Sequence, residues 1–268
     1  MGIEIRWEAA CERGRVREKN EDSWGVKSLG DGAGFLLAVA DGMGGHPGGE
    51  VASRAAVQAC IEGIEELAAD EPAVEILAEL FRLAQDGLRR EAEERPSLTQ
   101  MGTTLTLLLL RDDGAWVGHI GDTRLFWIRD RSLALITEDH SAAWEQVRAG
   151  KMSVDEAERD PMGSLLTRHL GPRNPCNPDL LERPLSLRAG DRLLLCSDGL
   201  GKVLSMAEVR EAAGSRPLRE ARDLLVRRAL EGGGPDNITV VVVEVISPPD
   251  VSGGVALERF PHAIGPGD

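Results

Sequence analysis

The chain reads as an α+β fold with two stacked antiparallel β-sheets, a central β-sandwich, flanked by α-helices. Three features predict it. Short apolar runs between residues 103 and 136 are joined by links of a few residues, and links that short connect antiparallel neighbours. No helical segment separates those runs, which argues against a doubly wound parallel sheet. Two amphipathic stretches before them and one after supply helices to cover the sheets. With 268 residues, 42% of them hydrophobic, the chain is long enough for one large domain or two small ones, and a single domain over residues 1–246 is expected.

The first strands are predicted at residues 22–27 and 35–40. Asp31–Gly32 lies midway between them and is a strong hairpin-turn signal. A hairpin folded there sets Asp22 directly opposite Asp41. Two ionised carboxylates so placed repel each other and need a cation nearby. Residues 42–49, Gly-Met-Gly-Gly-His-Pro-Gly-Gly, are too glycine-rich for regular structure.

From Glu50 to about Ala69, Val51, Ala55, Val57, Cys60, Ile61, Ile64 and Leu67 recur close to helical spacing. Pro72 fits the first turn of a second helix reaching about Glu94, with Val74, Leu77, Leu80, Phe81, Ala84 and Leu88 on one face. Strands follow at 103–110, 115–120, 124–129 and 132–136. Residues 141–170 are polar, with helical pieces near 144–149 and 154–158. They read as a flap-like insertion over the surface. A strand at 191–197, an amphipathic helix at 218–230 and a strongly apolar strand at 238–246 complete the domain. Residues 247–268 are rich in Pro and Gly and are expected to be a disordered tail.

Composition narrows the function. A net charge of −14 disfavours nucleic acid and anionic membranes as partners, since both require basic patches. No apolar run approaches the ~20 residues that span a bilayer. The N-terminal residues have neither the basic start nor the apolar stretch of a secretory signal. The four cysteines (Cys11, Cys60, Cys176, Cys196) are far apart and form no Cys-x-x-Cys pair, which suits reduced thiols. A cytoplasmic monomer is expected.

Three further aspartates, Asp122, Asp198 and Asp236, each stand at the end of an apolar strand. One such residue is ordinarily a turn former. Taken with Asp22 and Asp41, they suggest a rim of hard oxygen donors, which favours Mg²⁺ or Mn²⁺ over zinc if the strand ends converge.

Arg17-Glu-Lys-Asn-Glu-Asp22, Asp41-Gly-Met-Gly-Gly45, Gly102-Thr-Thr104, Gly121-Asp-Thr-Arg124, Thr137-Glu-Asp-His-Ser141, Ser197-Asp-Gly199 and Asp236-Asn237 occur in this order. Together they resemble the signature of the metal-dependent protein phosphatases (PPM, or protein phosphatase type 2C), bacterial branch, over about residues 6–246. The resemblance implies a centre of two Mn²⁺ or Mg²⁺ ions held by Asp22, Asp41, the carbonyl of Gly42, Asp198 and Asp236. It implies a third, weaker ion at Asp122 with help from Asp198. Arg17 matches the family's phosphate-binding arginine. Glu21 matches an acidic residue reaching a metal-bound water, and Asn237 would support the ligands from behind.

The implied activity is hydrolysis of phosphoserine and phosphothreonine in proteins, opposing a bacterial Ser/Thr kinase. Water bridging two ions about 3.5–4 Å apart would be the attacking group. A planar guanidinium suits two phosphate oxygens better than an ammonium does. Eukaryotic relatives carry His directly after Asp-Gly, where this chain has Met43, so His46 is the candidate general acid. Proton donation through a metal-bound water is the alternative. Two other readings share these residues: a catalytically silent signalling scaffold and a phosphatase of small phosphomonoesters.

Overall fold

The structure, a computed structural model, describes residues 2–30, 33–43, 48–67, 71–157, 160–214, 216–248, 253–260 and 262–265. In chain order the elements are β1 (Glu4–Glu12), β2 (Asp22–Ser28), β3 (Gly34–Asp41), α1 (Gly49–Gly63), α2 (Ala73–Glu94), β4 (Leu105–Arg111) and β5 (Gly114–Ile120). Then come β6 (Arg124–Arg129), β7 (Ser132–Leu135), α3 (Ala142–Arg148), α4 (Val154–Ala157) and β8 (Asp179–Leu180). The last are β9 (Arg192–Cys196), α5 (Asp198–Gly201), α6 (Met206–Gly214), α7 (Leu218–Glu231) and β10 (Ile238–Ser247).

The strands form two antiparallel sheets, ordered β1-β10-β9-β6-β7 and β2-β3-β4-β5-β8. Alternate side chains of each strand point to opposite faces. Leu37 and Val39 of β3 therefore join Leu108, Trp127, Leu195 and Val241 in the layer between the sheets. Their neighbours Leu36, Ala38 and Ala40 face α1 and α2 through Val57, Leu77, Leu80 and Phe81. On the far side, Leu194, Cys196, Val240 and Val242 meet Val209, Leu225 and Ala229 of α6 and α7. Both faces of each central strand are thus covered, which explains the unbroken apolar runs at 107–110 and 240–243.

The β2–β3 hairpin has the expected register, with Asp22 opposite Asp41 and every pair down to Ser28 and Phe35 in step. Asp31–Gly32 itself lies outside the described residues. Several bounds differ from expectation. Helix α1 stops at Gly63, short of Ala69, and Pro72 caps α2 from outside its first turn. Strand β4 starts at Leu105, because Thr103 and Thr104 turn to bond Asp41.

Elements β1, β8, α5 and α6 were not anticipated. For β1 a signal existed: Ile5, Trp7, Ala9 and Cys11 alternate with Glu4, Arg6 and Glu8, the period of a strand with one face covered. Described residues after Ser247 also depart from the expected disorder. Leu257 is buried, Phe260 sits edge-on to Trp127, and Ile264 exchanges backbone hydrogen bonds with Leu133 of β7. Apolar anchors thus tie part of this Pro/Gly-rich segment to the body. Among the described residues no helix is long and apolar enough to cross a membrane.

Candidate metal centre

The strand ends converge. Strand β2 begins and β3 ends at one rim of the sandwich. Strand β9 ends and β10 begins at that rim, where Cys196 pairs with Val240, and β6 enters there with Arg124 beside Cys196. Asp122 sits on the Gly121–Thr123 link that carries the chain from one sheet to the other. A cavity of about 220 Å³ opens at this rim, walled by Asp41, Asp122, Asp198, Asp236, Glu21 and Arg17 among others.

The backbone around these side chains is held tightly. The amide of Asp41 donates to Thr104 Oγ1 at 2.8 Å, while Thr103 Oγ1 and the Thr104 amide donate to the Asp41 carbonyl at 2.9 Å each. The Gly42 amide donates to the Glu21 carbonyl at 3.0 Å. A Cβ at residue 42 would collide with the carbonyls of Gly49 and Glu21, so only glycine fits there. Gly199 likewise lies against the Asn237 carbonyl, which brings Asp198 beside Asp236.

Asn237 ties a distant loop to this rim. Its Nδ2 donates to the carbonyls of Arg13 and Lys19 at 2.9 and 2.8 Å, and its Oδ1 accepts from the Glu21 amide at 2.8 Å. The loop so held presents Arg17, whose Nη2 donates to Asp236 Oδ2 at 2.8 Å with the side chain 40% exposed.

The predicted ligands are not all equivalent. Asp22 does not reach the cavity wall. It is buried, with Oδ2 accepting from Ser197 Oγ at 2.7 Å, while Glu21 lines the cavity. His46, the candidate general acid, lies outside the described residues. Lys202 was missed by sequence reasoning, although Asp198 and Lys202 have the four-residue spacing of a helical ion pair. Its Nζ lies 2.5 Å from Asp198 Oδ2 and 2.7 Å from Asp236 Oδ2. Among the described residues, no three acidic, His or Cys side chains stand close enough together to cage an ion as they are.

The electrostatics are those of crowded, buried acids. Burial chiefly, with Asp198 and Asp236 adding, pushes Asp22 up to about 7 against the Ser197 hydrogen bond. Asp41 is pushed well above the carboxylate range by burial first and then by Asp22 and Asp198. Burial and Asp198 do the same to Asp122. Asp236 goes the other way. Burial would raise it, but Lys202 and Arg17 outweigh that and hold it below its ordinary value.

Neighbouring groups are structural. Arg124 makes a two-pronged pair with Asp139. His140 accepts from the Gly121 amide at 3.1 Å and pairs with Asp179 at 3.0 Å. His119 is packed against Thr106 and the Glu138 carbonyl. The Cys196 thiol is buried and pushed up to about 12 by that burial, which makes it a poor nucleophile.

The chain is similar to known proteins over most of its length. A family model described as Protein phosphatase 2C matches residues 13–228. The serine/threonine protein phosphatase PstP of Mycobacterium tuberculosis is 40% identical over 245 residues, covering 90% of this chain and 45% of PstP. The chain therefore spans about half the length of that relative. The serine/threonine phosphatase stp of Listeria monocytogenes is 36% identical over 242 residues, covering 88% of this chain and 94% of stp. The crystal structure of the PstP catalytic domain in complex with two manganese ions superposes with a TM-score of 0.75 at 38% identity, covering 91% of this chain and 99% of that domain. The family match runs through Asp22, Asp41, Asp122 and Asp198, residues that the fold brings to one rim, and the chain belongs to the protein phosphatase 2C family.

Proposed function

We propose that the chain is a metal-dependent serine/threonine protein phosphatase that hydrolyses phosphoserine and phosphothreonine monoesters with Mn²⁺ or Mg²⁺. The carrying observation is the meeting of Asp41, Asp122, Asp198 and Asp236 on one cavity with Arg17 at its lip. The PstP catalytic domain, similar over nearly its whole length, holds two manganese ions.

The residues present fit such ions. Every donor is a hard oxygen. Asp22 Oδ1 and Asp198 Oδ1 are buried with no hydrogen-bond partner among the described residues, a costly arrangement unless a cation offsets it. Asp41, the Gly42 carbonyl, Asp198 and Asp236 would hold the pair, and Asp122 with Asp198 a third ion. Asp22, near enough to act on Asp41, would add its negative charge to the site. Divalent ions held there would acidify water and neutralise phosphoryl charge.

The chain's own groups supply orientation. The Arg17 guanidinium offers parallel donors to two phosphate oxygens, and Asn237 fixes the loop that presents it. Glu21 stands at the wall, where it can accept a proton from water. His46 is proposed as proton donor to the leaving seryl or threonyl oxygen.

Residues 141–170 are proposed as the flap that selects substrate. Ser164 and Leu166 line the cavity, and Met162 and Leu165 are exposed beside them. A cognate Ser/Thr kinase, a cytoplasmic location and a monomeric state are part of the proposal. Four free cysteines support a reducing compartment.

Hydrolysis of p-nitrophenyl phosphate tests the chemistry. Activity is expected with Mn²⁺, none with EDTA, and a fall in kcat of at least about a hundredfold in Asp198→Asn, since changes merely behind metal ligands cost 10–100-fold. Turnover that survives chelation would sink the mechanism. Preference for a phosphothreonine peptide over a sugar phosphate tests the substrate class.

A further inference from the structure

Lys202 lies between two of the carboxylates proposed to hold metal. It caps α5, the single turn that also begins with Asp198, so the chain places an ammonium beside its own ligand set. The Nζ bridges Asp198 Oδ2 and Asp236 Oδ2, two oxygens from motifs far apart in sequence. Asp198 Oδ1 remains buried without a hydrogen-bond partner.

We propose that Lys202 is an internal counter-cation of the centre, clamping Asp198 and Asp236 in the metal-free protein and competing with the divalent ion for their oxygens. The inference rests on the metal-dependent reading given above and concerns how tightly that side of the centre is loaded.

The physical argument is competition for shared ligands. An ammonium is a compact charge with three donors, and it pairs with one oxygen of each of two largely buried carboxylates that would otherwise repel each other. A dication interacts more strongly with the same oxygens, but its binding must first displace Nζ. Apparent affinity then falls by the fraction of molecules in which the carboxylates are free. The displaced ammonium has somewhere to go. Lys202 is 35% exposed and lies on the wall shared with a second cavity of about 230 Å³, which Asp122, Asp139 and Asp160 also line. The clamp lets the apo-protein keep its rim assembled.

Titration of chelator-treated protein with Mn²⁺ alone, followed by calorimetry and by the electron paramagnetic resonance of free Mn²⁺, tests this. Lys202→Met should tighten one Mn²⁺ site about tenfold or more. Lys202→Arg, which keeps the charge, should stay near wild type. Thermal melts supply a second readout. Without metal, Lys202→Met should melt lower than wild type, and at saturating Mn²⁺ the deficit should vanish, as linkage requires. Lys202→Gln repeats the test should the Met variant fold poorly.

Equal or weaker Mn²⁺ binding by both neutral variants would overturn the role of Lys202. No Mn²⁺ binding by the wild-type protein would instead overturn the metal-dependent reading itself.

Discussion

At the scale of single residues, Asp22 joins the chemistry of the rim to stability. Its carboxyl is ordinarily near 3.8 but lies at about 7 in the folded protein. Between those values the folded state keeps a proton that the unfolded chain has released, so rising pH removes stability. Metal-free protein should therefore lose stability relative to Asp22→Asn as pH rises from about 4 to about 7, with no further change above. Urea midpoints of both proteins in EDTA at pH 5 and pH 7.5 check the sign, and a wild type that gains on Asp22→Asn over that span contradicts it. Mn²⁺ favours the ionised acids, so its binding should release protons near pH 6. Calorimetry in two buffers of different ionisation enthalpy measures that release. The same residue marks a limit of sequence reading. Its place opposite Asp41 was legible, but its hydrogen bond from Ser197 was not, because the fold alone brings Ser197 to it.

At the scale of elements, the hairpin and the loop before it do different work. Strands β2 and β3 deliver Asp41 rigidly, because a one-residue slip would turn every apolar side chain to the wrong face. The 13–21 loop has no such constraint and is held mostly by side-chain bonds, three of them with Asn237, with a backbone bond from Arg15 to Gly234. Asn237→Ala should therefore free Arg17 and Glu21 and raise KM for a phosphopeptide about tenfold, the lower range for losing a group that orients ligands. An unchanged KM would show that the loop holds its shape unaided. Helices and central strands were readable because their periodicity is local. Strand β1 was overlooked despite its alternation, since charged residues between the apolar ones mask an edge strand. The two-residue β8 has no pattern to read and exists only because β5 offers Gly118 and His119 as partners.

At the scale of the whole molecule, the described residues after Ser247 pack back on the body of the fold. They lay Leu257 and Phe260 into the layer between the sheets and pair Ile264 with Leu133. Removing residues 248–268 should cost roughly 2–4 kcal/mol, the price of one or two apolar side chains returned to water. Urea unfolding measures the loss, and a truncated protein as stable as the full chain would show that the segment contributes nothing. Phe260 rests on Trp127, so tryptophan emission reports the same event.

By itself the sequence determined the strand and helix periods, the register of the first hairpin and the order of the acidic motifs. Each of these follows from residues close together along the chain. Tertiary structure decided which strand ends share a rim, that Arg17 reaches Asp236 across 219 positions, and that Lys202 stands between two proposed ligands. Those outcomes depend on how two sheets stack, and stacking is settled by the fit of buried surfaces contributed from the whole length of the chain.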